Sequence, residues 1–204
     1  MGRFVIGPVI AAVAVIVGAY FVGSIPIGVL LSRRRGVDIR AVGSGNIGAT
    51  HVSRSLGRKL GAIVLVLDAL KGALPVLAVV MLELDQRVDP FVLTATGFAA
   101  IAGHCFPIWL RFDGGKGVAT ALGVYLVVDP LVTGICMAIF AACYLPFRIV
   151  SIGSMTAAVA FPVLLLVFGQ SDAAVALGIA VGLVIIYRHR GNLGRLLRRG
   201  EPSA

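Results

Sequence analysis

The chain has 204 residues, of which 59% are hydrophobic and only 13% charged. A soluble domain is about half apolar and about a quarter charged, so this composition excludes an ordinary soluble fold. The formal net charge of +9 would suggest nucleic acid in a soluble protein. Here the basic residues fall between long apolar runs, which assigns them to membrane topology and anionic ligands, with no nucleic-acid partner.

The first apolar segment, Phe4–Ser32, is too long for a signal-peptide core of roughly 7–15 residues. It is read as a retained helix, interrupted near Gly23, Ser24 and Pro26. Six more segments follow: Leu60–Leu84, Phe91–Leu110, Val118–Val128, Leu131–Phe147, Val150–Phe168 and Ala173–Tyr187. A run of about 18 apolar residues reads as a spanning helix, and the short Val118–Val128 alone is ambiguous. Loop charge decides it. The loop after the first segment carries Arg33, Arg34, Arg35, Arg40, Arg54, Arg58 and Lys59; the next carries Glu83, Asp85 and Asp89, with only Arg87 basic. Basic Arg111 and Lys116, acidic Asp129, basic Arg148 and acidic Asp172 then alternate up to a tail with Arg188, Arg190, Arg195, Arg198 and Arg199. Cytoplasmic loops collect Lys and Arg. The expected architecture is therefore an all-α integral membrane protein of seven transmembrane helices, N-terminus outside and C-terminus cytoplasmic. It is read as a single polytopic domain over 1–204, with cytoplasmic glycine-rich loops at about 33–59, 111–117 and 188–204.

Cys105, Cys136 and Cys143 have neither metal-ligand spacing nor an even count, and read as packing residues. Gly57-x-x-x-Gly61 and Gly178-x-x-x-Gly182 suit close helix packing in lipid.

Three basic loops carry more than topology needs. The first, Gly43-Ser44-Gly45-Asn46-Ile47-Gly48-Ala49-Thr50, contains G-x-G-x-x-G. A membrane helix precedes it in place of a strand, which excludes a dinucleotide fold. Its local chemistry still suits phosphate: glycine N–H groups form an anion nest, Ser44, Asn46 and Thr50 add donors, and Arg54 adds a fixed cation. The second runs from Gly103-His104 to Gly114-Gly115-Lys116-Gly117, glycines around one lysine. His104, inside an apolar helix, is either a hydrogen-bonded structural residue or part of a site. The third is Arg188-His189-Arg190-Gly191-Asn192, where topology explains the arginines but not the histidine and asparagine. Asp68 and Lys71 share one helix face at i, i+3, which reads first as a mutual ion pair and alternatively as a pair facing the site. Ser151 and Ser154 follow Arg148, where a serine is usually a helix cap.

These residues carry a likeness. Val42-Gly-Ser-Gly-Asn-Ile-Gly-Ala-Thr50, Asp68-x-x-Lys71-Gly72, Gly103-His104-x-Phe106-Pro107, Gly114-Gly115-Lys116-Gly117-Val118-Ala119-Thr120 and Arg188-His189-Arg190-x-Asn192 stand in order along most of the chain. Together with Gly23-Ser24-Ile25-Pro26 they closely resemble the bacterial acyl-phosphate:glycerol-3-phosphate acyltransferases of the PlsY type. His51 stands where that family usually has asparagine, and Gly191 where it usually has glutamate.

The resemblance implies a seven-helix enzyme of the bacterial plasma (inner) membrane, active on its cytoplasmic side. It would move a fatty acyl group from acyl phosphate to the 1-hydroxyl of sn-glycerol 3-phosphate, giving lysophosphatidate and phosphate. It implies no metal or nucleotide cofactor. A soluble enzyme that produces acyl phosphate is a possible partner, beside the lipid bilayer. Ser44, Arg54, Lys116 and His189 are the expected catalytic residues. Gly43, Gly45, Asn46, Gly48, Thr50, His104, Gly114, Gly115, Ser151 and Asn192 are the expected substrate contacts. The proton acceptor is His189, His104 or a substrate phosphate. The H-x-x-x-x-D motif of another acyltransferase class is absent, since Leu56, Trp109 and Gly194 fill the fifth position after each histidine. The alternative is a membrane transporter of a phosphorylated or anionic metabolite, which would share the helices and basic loops.

Overall fold

The computed structural model describes residues 3–197. All seven apolar segments are helical. The first is broken as its Gly-Ser-Ile-Pro string requires: α1 runs Arg3–Ser24 and α2 Ile27–Arg33. Proline has no N–H to continue the helical ladder. The expected loop that follows contains a 3-10 turn, Ile39–Ala41, and a helix, α3, Ala49–Leu56. The second segment is α4, Arg58–Met81, then a single acidic turn, α5, Leu84–Arg87. The third segment, α6, is Phe91–Cys105 and ends five residues before the expected Leu110. Pro107 explains the early end, because the residue before a proline is driven out of helical geometry. Ile108–Leu110 is a 3-10 turn instead. The last segments are α7, Val118–Val128, α8, Pro130–Phe147, α9, Val150–Val167, and α10, Asp172–Arg188. The tail is not wholly loop: Arg190–Leu197 forms α11, bent 56° from α10. Arg198 and Arg199 lie outside the described residues.

Among the described residues, five stretches are long and apolar enough to cross a bilayer alone: Ile6–Arg33, Arg58–Met81, Phe91–Leu110, Pro130–Phe147 and Val150–Val167. The bent α10–α11 pair supplies a sixth, and α7 has 11 residues. Outward-facing leucines and valines such as Leu65, Leu74, Val159 and Leu166 are exposed, as a lipid-facing surface requires.

Small residues set the packing. α1 lies on α6, where a methyl added to Gly103 would fall 2.2 Å from the Tyr20 carbonyl oxygen. α4 lies on α7 reciprocally: Gly72 faces the Thr120 carbonyl and Gly123 the Ala69 carbonyl, with room for no Cβ at either. Close backbone approach of this kind drives helix association in lipid, where the hydrophobic effect gives no gain. It also holds the short α7 inside the bundle. Gly178 and Gly182 pack α10 against α9 as expected. In the other expected pair only Gly61 packs, against Ser53 of α3. Gly57 has open space around it and a φ of +96°, so it is the turn between α3 and α4. α9 sits between α8 and α10, and the largest apolar core joins α6, α7, α9 and α10 around Ile101, Val124, Phe161, Leu165 and Val181.

Candidate functional site

The three basic segments come together at one end of the bundle, around the mouth of one cavity of about 1150 Å³.

The first glycine loop is built by its own residues. Gly43 and Gly45 take φ of +52° and +67°, left-handed positions that glycine adopts without steric cost. The Asn46 side chain accepts from the Gly48 N–H at 2.8 Å. Gly48 is then the N-cap of α3. Thr50 and Arg54, one turn apart on α3, both line the cavity, as do Gly43, Ser44, Asn46 and Gly48. Gly45 does not; it is a turn residue against the Arg40 carbonyl. His51, one of the two departures from the family pattern, has Nε2 2.9 Å from the Val42 carbonyl oxygen. It ties α3 back onto the loop.

The second loop differs from the expected phosphate cradle. The N–H groups of Gly114 and Gly115 donate to the Cys105 and His104 carbonyls at 3.2 and 3.1 Å, so they are spent on the end of α6. Neither glycine lines the cavity. A Cβ on Gly115 would fall 2.0 Å from His104 Nε2, which explains the glycine by packing. From α10, Arg188 donates through Nε to the Gly115 carbonyl at 2.9 Å and through Nη2 to the Gly114 carbonyl and to Asp113. Read from sequence as a topology charge, Arg188 is a strap that fixes the lysine loop to α10. A planar guanidinium suits several acceptors at once. Nothing in the sequence separates it from its neighbouring arginines. Lys116 follows the strapped glycines, lines the cavity and hydrogen-bonds the Asn192 side-chain oxygen.

His189 caps α10 and is buried. Its Nδ1 lies 2.8 Å from the Ile185 carbonyl oxygen. A carbonyl only accepts, so Nδ1 carries the hydrogen and Nε2 of the neutral ring keeps its lone pair. Burial first, and the nearby Lys116 charge second, push its pKa down to about 4, against the smaller raising effect of the Ile185 hydrogen bond. The ring is therefore neutral near pH 7. Asn192, one turn on in α11, is buried beside it.

Ser151 and Ser154 are not caps, since the N-cap of α9 is Ile149. Both are buried and line the cavity. Asp68 and Lys71 form the expected ion pair at 2.8 Å, with side chains 2% and 5% exposed. Lys71 also donates to the Ile25 carbonyl at 2.8 Å. The break at Pro26 thus supplies a partner for a buried ammonium. His104 Nδ1 stands 3.6 Å from Asp68. Asp68 and His104 reach the cavity wall and Lys71 does not.

The cavity changes character with depth. Its mouth carries Ser44, Thr50, Arg54, Lys116, Ser151, His189 and Asn192; its interior, between α7, α8, α9 and α10, carries Leu122, Tyr125, Met137, Phe140 and Phe161. Cations and hydroxyls over an apolar pocket within a bundle of membrane helices define a class: a membrane enzyme or carrier for amphiphiles with a phosphate head.

Sequence and structure comparisons agree and go further. The model of the glycerol-3-phosphate acyltransferase family matches residues 13–199. The glycerol-3-phosphate acyltransferase of Syntrophotalea carbinolica is 47% identical over 187 residues, covering 91% of this chain and 94% of its own. That of Aquifex aeolicus is 44% identical over 190 residues, 93% and 97% of the two chains. The crystal structure of the integral membrane glycerol 3-phosphate acyltransferase PlsY in its glycerol 3-phosphate form superposes with a TM-score of 0.90 at 42% identity, over 95% of this chain and 96% of that one. Its lysophosphatidic acid form gives 0.87 at 41%, over 95% of each. The chain belongs to the glycerol-3-phosphate acyltransferase family.

Proposed function

We propose that this protein transfers a fatty acyl group from acyl phosphate to the 1-hydroxyl of sn-glycerol 3-phosphate, releasing lysophosphatidate and phosphate. The observation that carries the reading is a cavity with a cationic, hydroxyl-rich mouth above an apolar interior. Both substrates bear phosphate, and one bears a chain that the interior suits. The solved relatives, with glycerol 3-phosphate in one form and lysophosphatidic acid in the other, support the acceptor and the product.

Acyl phosphate is already activated, so no covalent enzyme intermediate is needed. The site has to align the hydroxyl with the acyl carbon, neutralise the departing phosphate and stabilise an oxyanion. Arg54 and Lys116 supply the positive charge, with Ser44, Thr50, Ser151 and Asn192 as hydrogen-bonding groups around them. The new ester C–O bond forms as the acyl C–O bond to phosphate breaks, and the hydroxyl proton passes to a base. His189 is the side-chain candidate for that role, because its Nδ1 faces the Ile185 carbonyl and leaves Nε2 of the neutral ring as an acceptor, though its lowered pKa makes it a weak base. A substrate phosphate is the other acceptor that the chemistry allows. Gly114 and Gly115 act from behind the cavity lining, by packing the lysine loop, and the Asp68–Lys71 pair by packing α4, since the glycine amides are already paired and the charges neutralise each other. A soluble supplier of acyl phosphate would meet the basic face.

The test is regiochemical. Purified protein given acyl phosphate and sn-glycerol 3-phosphate should release one phosphate per ester formed, with the ester at the 1-position. Ester at the 2-position, or transport of glycerol 3-phosphate into liposomes without transfer, would favour another reaction or the carrier reading.

The distribution of charge supports a cytoplasmic position for this mouth, in the plasma membrane. Lys and Arg gather at the mouth end, and Glu83, Asp85, Asp129 and Asp172 lie in the turns of the other end. Seven crossings follow if α7 counts as a short span. Reporter fusions after Asp129 and after Leu197 should then report opposite sides; the same side for both would contradict seven crossings.

A further inference from the structure

The cavity stops at one level on four helices. Its lining reaches Tyr125 on α7, Thr133 on α8, Phe161 on α9 and Val181 on α10. One turn farther, Leu165 on α9 and Gly178 on α10 no longer touch it. At this level the rings of Tyr125 and Phe161 stack, with centroids 3.7 Å apart and planes 18° from parallel. Both are buried, and Leu165 beyond them is fully buried in the core. Phe161 lies ten residues beyond Ser151 on α9, about 15 Å at 1.5 Å per residue.

We infer that the stacked Tyr125–Phe161 pair is the floor of the acyl-chain pocket and sets the longest acyl chain that the enzyme uses efficiently. The inference rests on the acyl-transfer reading above. A chain that enters head-up, with its carbonyl near Ser151 and Lys116, points its methyl end at this pair. Two stacked rings form a stiff wall, because each ring is held by the other and by the packed core beneath. A chain one step too long must displace them or withdraw its head from the cations. Both consequences act on the transition state, because a retracted head misplaces the reacting carbonyl. The cavity is open towards the lipid side between α4 and α8, where Leu65 and Met137 line it and are exposed. A long chain that avoids the floor would run out past these two residues, and the experiment separates that course from the floor.

The experiment measures kcat/KM in detergent for a series of acyl phosphates that differ by two carbons. Wild type should show a sharp fall beyond its best length. Phe161→Ala should raise the rate with the next longer chain, relative to the wild-type optimum, by about tenfold or more, since a methylene in a fitted pocket is worth at least about tenfold. Ala158→Leu, in the wall one turn above the floor, should shift the optimum to shorter chains. Leu166→Ala, on the exposed face of α9, should keep the wild-type profile. Phe161→Leu gives the same direction with a smaller effect if the alanine variant does not fold. Identical chain-length profiles in all variants would overturn the floor. No transfer by wild type with any chain would overturn the acyl-transfer reading instead.

Discussion

Lys116→Ala should lower kcat/KM for acyl transfer by about 30-fold to several thousand-fold, and Arg54→Ala by a similar factor. Each is a cation lining the mouth of the cavity, where bound substrate covers it and removes water. Truncating one partner of a desolvated, hydrogen-bonded charge pair costs about 2–5 kcal/mol, and about 1.4 kcal/mol is tenfold in rate. The proteins should stay folded, because neither side chain is part of the apolar core. Arg33→Ala removes an exposed charge at the end of α2, flanked by two more arginines, and should keep most activity. His189→Ala separates two roles. Lower kcat with unchanged KM supports proton transfer or transition-state contact, whereas a raised KM alone supports binding. Near-normal rates for both folded Lys116→Ala and Arg54→Ala would remove the site from this end of the bundle.

The second large effect is on stability. Asp68→Asn should destabilise the protein by about 3–5 kcal/mol, the cost of leaving one member of a buried ion pair without its counter-charge. Lys71, 5% exposed, would keep neutral acceptors, the new amide oxygen at position 68 and the Ile25 carbonyl, but no counter-charge. Lys71→Met should cost a comparable amount by stranding the carboxylate. The double variant Asp68→Asn/Lys71→Met should recover much of the loss, because an uncharged pair of similar volume fits an apolar wall. Thermal unfolding in detergent reads all three. Losses that simply add in the double variant would show that the two charges do not act as a pair.

Why some of this was legible in the sequence and some was not follows from range. Helix positions depend on local hydrophobicity, so all seven apolar segments appear as helices, α7 with its bounds unchanged. The Asp68–Lys71 pair was legible because i, i+3 spacing on a helix is itself a contact. Errors arose where a partner distant in sequence decides. The second glycine loop looks like an anion nest, but its amides face the end of α6 and its carbonyls face Arg188, 73 residues away at Gly115. Ser151 and Ser154 look like caps, but Ile149 takes that position and the serines turn into the cavity. α3 was hidden because glycines and arginines dominate its surroundings, and its stability comes from packing on α4 through Gly61. The apolar interior had no sequence signal, since lipid-facing, core and pocket-lining residues share one composition in a membrane bundle.

The central claim is tested most directly by the choice of acyl donor. Purified protein in detergent should form lysophosphatidate from glycerol 3-phosphate and acyl phosphate. It should form little with acyl-CoA or acyl carrier protein of the same chain, because the mouth offers cations suited to a compact phosphate. Comparable turnover with acyl-CoA would contradict the account.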